Sequence, residues 1–64
     1  LKPRVWQTFR DIPLGVVVQD RDGDVYRRHP ATGSWQFESR TGVWMNSVVD
    51  NPNGYRPFTE VRCG

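Results

Sequence analysis

Cysteine, histidine and lysine each occur once in the 64 residues, as Cys63, His29 and Lys2. A single cysteine excludes an intrachain disulfide, and one Cys with one His falls short of the four ligands, or three plus water, of a zinc site. The longest valine run, Val16 to Val18, is far too short to span a bilayer, and no signal peptide is visible. Alanine occurs once and leucine twice, and no stretch repeats apolar residues at helical spacing for three turns. Long amphipathic helices are therefore not expected. At this length the chain forms one small domain over residues 1–64, with 1–3 and 62–64 expected to fray. Such a domain buries only about 60% of the surface its unfolded chain would expose. Folds this short usually rely on disulfides, a metal or oligomerisation; of these, self-association is the one left. The unpaired cysteine fits a reducing, cytoplasmic setting.

What is present is valine, arginine, aromatics and turn formers. There are nine valines, and eight of the nine basic residues are arginine, with a net charge of +2. β-Branched side chains suit a pleated surface. Arginine suits stacked and bidentate contacts, although a GC-rich genome produces the same bias. Four tetrapeptides begin with a turn former and end in glycine: Asp20–Gly23, Pro30–Gly33, Ser39–Gly42 and Asn51–Gly54. Type I turns favour such residues at their first and last positions, and glycine in the left-handed conformation completes a three-residue hairpin connection. Short β-rich runs lie between them: Leu14–Gln19, Val25–Tyr26, Trp35–Glu38, Val43–Val49 and Phe58–Val61, with an opening strand around Val5–Phe9. The expected fold is all-β, a five- to six-stranded antiparallel meander. Curling into a small SH3-like barrel would hide the strand edges. An OB-fold, which normally takes more residues and a helix, stands second.

Turn geometry assigns registers. Pairing Asp20 with Asp24 sets Val18 opposite Tyr26, Val16 opposite Arg28 and Val17 opposite Arg27. Pairing Ser39 with Val43 sets Glu38 opposite Trp44 and Phe37 opposite Met45. Trp35, Phe37, Val43 and Met45 then share the core face, and Trp44 lies on the other beside Gln36, Glu38 and Asn46.

From Ile12 onward the chain carries Pro13-Leu14-Gly15, Val16 to Val18, Asp20-Arg21-Asp22-Gly23-Asp24, Tyr26, Gly33-Ser34-Trp35 and Tyr55-Arg56-Pro57-Phe58-Thr59-Glu60-Val61. This pattern resembles small β-rich proteins of actinobacteria and their phages. Arg56 stands where that pattern has glycine, and the stretch between Trp44 and Asn53 is longer. The resemblance implies a small barrel, often phage-encoded and then acting in the host cytoplasm. It transfers no catalytic residue.

Chemistry-bearing constellations are few. Asp20, Asp22 and Asp24 lack the spacing of a calcium loop, which needs glycine sixth and glutamate twelfth; they read as a turn. His29 and Cys63 are far apart in sequence, with no third group to orient them. No enzyme activity, cofactor, metal or small-molecule substrate is expected. Trp35 reads as core. Trp6, near the start of the chain, and Trp44, on the polar face, are candidates for partner binding, with Arg27, Arg28 and Arg40 flanking them. Tryptophan and arginine are enriched where binding energy concentrates. The expectation is a protein-interaction module whose partner is a host protein or a second copy. The alternative is nucleic-acid binding, since aromatic–arginine surfaces also stack bases and contact phosphates.

Overall fold

The computed structural model describes residues 2–48 and 51–61. Val49, at the end of one expected strand, and Cys63 lie outside them, as do Leu1 and residues 62–64 of the expected frayed ends. Six strands form one antiparallel sheet: β1 (Val5–Trp6), β2 (Val18–Gln19), β3 (Val25–Arg28), β4 (Trp35–Glu38), β5 (Trp44–Asn46) and β6 (Phe58–Glu60). Two short 3-10 turns, Phe9–Asp11 and Pro52–Tyr55, connect them. No helix among the described residues is long and apolar enough to cross a membrane.

The all-β antiparallel class is as expected, but the order is β1-β6-β2-β3-β4-β5. Only β2 to β5 form a meander. β6 returns from the end of the chain and inserts between β1 and β2, pairing Thr59 with Val5 and Gln19. The sheet is open rather than closed into a barrel, with β1 and β5 at its two edges. It is nevertheless strongly curled. Two strands separate β4 from β6, so a flat sheet would hold them about 14 Å apart. The rings of Trp35 on β4 and Phe58 on β6 meet edge to face at 5.5 Å.

That curl makes the core. Ile12, Val18, Tyr26, Trp35 and Phe58 are buried together, with Trp6, Phe9, Val16 and Phe37 packed around them. Ile12 follows the first 3-10 turn and plugs the concave side at 1% exposure.

Three of the four turn signals build left-handed glycines, Gly23, Gly33 and Gly42 at φ of 76° to 90°. Their hairpins follow the expected registers in full for β4–β5: Glu38 faces Trp44 and Phe37 faces Met45. The first hairpin agrees at Asp20 with Asp24 and Val18 with Tyr26, then departs. The Gly15 N–H, rather than that of Val16, donates to the Arg28 carbonyl at 2.9 Å, so one extra residue bulges out between Gly15 and Val18. Val16 and Val17 therefore do not pair with Arg28 and Arg27. Asn51–Gly54 also differs. It winds into the second 3-10 turn, and Gly54 is not among the positive-φ glycines.

Candidate functional site

Alternation along β3 separates its two arginines. Arg27 points to the convex side and Arg28 to the concave side with Tyr26. On the convex side β4 sits between β3 and β5, and its Gln36 links them. The Arg27 Nε donates to Gln36 Oε1 at 3.0 Å, and Gln36 Nε2 donates to Asn46 Oδ1 at 3.1 Å. Gln36 is buried beneath this row at 8% exposure, unusual for glutamine on an outer face. Above it the Arg27 guanidinium lies over the Trp44 ring, 4.5 Å from its centroid. Trp44 is half-buried and belongs to no core ring contact. No carboxylate pairs with Arg27 among the described residues. The result is an aromatic–guanidinium surface held from below by a polar ladder, in which Arg27 makes no ion pair among the described residues and Glu38, opposite Trp44, shares the face.

The five sequence candidates do not converge. Trp44 and Arg27 come together. Arg28 turns inward, where its Nη1 donates to the carbonyls of Arg10 at 3.1 Å and Ile12 at 3.2 Å, satisfying the end of the first 3-10 turn. It is a structural clamp rather than a flank of Trp44. Trp6 packs against the core at the opposite sheet edge, with the Arg4 guanidinium 5.1 Å from its ring. Arg40 is exposed in the turn between β4 and β5. Gln36 and Asn46 are the additions the structure makes. Their adjacency to Trp44 follows from the hairpin register, but nothing in the sequence signals that a glutamine there would be buried.

Other candidate chemistry is absorbed by the turns. Asp20 Oδ1 accepts the N–H groups of Asp22 at 2.8 Å and Asp24 at 3.0 Å. Among the described residues no group of three or more His, Cys, Asp or Glu side chains is placed to hold a metal ion. His29 Nδ1 accepts the N–H groups of Ala31 and Thr32, fixing the β3–β4 loop. A cavity of about 310 Å³ lies between β3, β4 and the segment after β5, lined by residues including Tyr26, Phe37, Glu38, Asn46 and Val48.

Burial raises the Tyr26 hydroxyl from its ordinary 10 to about 12, reinforced by the charges of Asp20 and Asp24. The ring is stacked on Trp35 with centroids 4.9 Å apart. Because the folded-state value is the higher one, its contribution to stability is complete below pH 10 and is lost as pH rises through 12. Urea unfolding across this range is expected to show an alkaline decline in stability that Tyr26→Phe reduces. An equal decline in the variant would assign it to other groups.

No family model matches the chain, and no curated protein or solved structure matches it.

Proposed function

We propose that the protein is a non-enzymatic binding module that takes a protein partner on the convex face of β3, β4 and β5, through Trp44 and Arg27. The observation that carries this is the Arg27 guanidinium lying over the Trp44 ring while it hydrogen-bonds buried Gln36. A guanidinium already seated over an indole and hydrogen-bonded to Gln36 loses little freedom when a partner arrives, and it makes no ion pair among the described residues. The matching surface is an apolar side chain beside an acidic group. The strong curl and the returning last strand support an SH3-like relationship for the open sheet. The resemblance to actinobacterial and phage proteins supports a cytoplasmic setting.

The nucleic-acid alternative has less behind it. Arg28 is spent on backbone carbonyls, so the convex face presents Arg27 without a stripe of neighbours. Phosphate binding generally draws on several such contacts.

The test is capture from cell extract, with and without nuclease, by the wild-type chain and by Trp44→Ala. A protein retained by wild type, insensitive to nuclease and lost with Trp44→Ala is the expected result. Recovery abolished by nuclease, with affinity falling steeply in salt, would transfer the face to nucleic acid. Trp44→Ala is expected to lower stability by no more than about 1–2 kcal/mol, because the ring contributes partial burial and one cation–π contact. A loss of several kcal/mol would mean that the ring belongs to the core.

A further inference from the structure

The two edges of the sheet are unlike. β1 is preceded by Lys2, Pro3 and Arg4, and the Arg4 guanidinium pairs with Glu60 at 3.0 Å. Charge and proline are the devices that keep an edge strand from pairing with another chain. β5 has neither: from Thr41 to Val48 there is no charged residue and no proline. Two bonds to β4 fix which of its main-chain groups are occupied. The Ser39 N–H donates to the Val43 carbonyl at 2.9 Å, and the Ser47 N–H donates to the Trp35 carbonyl at 2.8 Å. Residues along an antiparallel strand alternate in the side to which their N–H and C=O point. Val43, Met45 and Ser47 therefore face β4, and the main-chain groups of Trp44 and Asn46 face outward. Those outward groups have no main-chain partner among the described residues. The same strand leaves Val43 57% and Met45 51% exposed, although both lie on the face that carries Phe37.

We propose that β5 pairs antiparallel with β5 of a second copy of this chain, about a two-fold axis at Met45. In that register Trp44 lies opposite the partner's Asn46, and the reciprocal pair repeats it. All four outward groups of each strand find partners, giving four main-chain hydrogen bonds. Met45 faces the partner's Met45 as the pair without mutual hydrogen bonds, where side chains approach most closely, with Cα atoms about 4.5 Å apart. Val43 lies opposite the partner's Ser47. The half-exposed apolar row of β5 is then covered by its own symmetry copy, as an isologous interface requires. No like charges meet along the strand, and it carries no acid or base that would select a different chain. The contact joins two six-stranded sheets into one. It also supplies the external support that a domain of this size without a disulfide usually takes. This inference deepens the protein-binding reading by naming one partner, and it uses the main-chain edge rather than the Trp44 ring and Arg27.

Sedimentation equilibrium on the full chain tests it. The expected mass rises with concentration toward 15 kDa, twice the 7.5 kDa of one chain. Met45→Lys and Met45→Glu each place like charges against each other at the axis and are expected to weaken the dimer about a hundredfold. Each monomer should keep its circular dichroism, since the side chain is already half-exposed. Mixing the two variants should restore the dimer through an opposed Lys–Glu pair. A wild-type chain that stays monomeric, a Met45→Lys variant that stays dimeric, or a mixture that fails to recover would each overturn the proposal. If charge at position 45 unfolds the chain, amide exchange on the wild type decides. The Trp44 and Asn46 amides should gain protection with protein concentration, and the absence of that gain overturns the pairing. Trp44→Ala keeps the main-chain edge, so a dimer that survives it while partner capture is lost separates the two readings.

Discussion

Replacing Trp35 with alanine is expected to leave the domain largely unfolded at physiological temperature. Trp35 stacks on Tyr26 at 4.9 Å, meets Phe58 edge to face at 5.5 Å and meets Phe9 at 5.5 Å. It therefore joins strand β3, strand β6 and the first 3-10 turn in one contact set, and these elements are distant in sequence. Deleting a buried tryptophan costs about 3–5 kcal/mol, from lost transfer energy and from the cavity left behind. A chain of 64 residues has roughly 3–10 kcal/mol in total. Collapse around the void is hindered, because the neighbouring rings are anchored on three separate elements. Thermal unfolding followed by near-ultraviolet circular dichroism checks this. A variant that keeps a cooperative transition close to the wild-type midpoint would show that the aromatic cluster is not what holds the curl.

The second large effect is expected at Asp20. Its carboxylate is 6% exposed and closes the β2–β3 turn with two charge-assisted hydrogen bonds, to the N–H groups of Asp22 and Asp24. Asp20→Ala removes both, and a loss of about 2–4 kcal/mol follows from hydrogen bonds to a charged acceptor. The other oxygen, Oδ2, is buried and accepts no hydrogen bond of good geometry, the Tyr26 hydroxyl being the polar group that interacts with this carboxylate, so part of its desolvation cost is left uncompensated. Asp20→Asn keeps a neutral acceptor and relieves part of that cost. Its stability is expected to lie between wild type and Asp20→Ala. Chemical denaturation of the three proteins gives the order. An Asn variant no more stable than the Ala variant would remove the turn hydrogen bonds as the cause.

Local signals were legible wherever local chemistry decides. Glycine after a turn former fixed the loops at Gly23, Gly33 and Gly42, and loop length then fixed the partner of every residue in β4 and β5. The same alternation already separates Arg27 from Arg28, because adjacent strand residues face opposite ways; grouping both arginines with Trp44 overlooked it. Two features depend on distant sequence and carry no local mark. The insertion of β6 between β1 and β2 is set by Phe58 filling the core, and nothing near residue 58 encodes which strands it will meet. Val43 and Met45 have the right parity for the core, yet they sit on an edge strand beyond the reach of the covering elements. Parity names a face, whereas burial also requires something to cover it. The bulge after Gly15 belongs to the same class. The bulged segment also meets the end of β6, where the Val61 N–H reaches the Val17 carbonyl, a contact made from 44 residues away.

The inserted last strand has a consequence for how the chain reaches its fold. A pure meander grows one hairpin at a time, and each strand finds its neighbour already in place. Here β1 and β2 have no contact with each other until the segment around Phe58 arrives to sit between them. During synthesis the β2–β5 hairpins can form early, but their concave side still lacks Phe58. Loop-closure entropy is spent on the whole length of the domain before the core is complete. The central hairpins can thus form first, and the core is completed only when the two ends of the chain meet beside them.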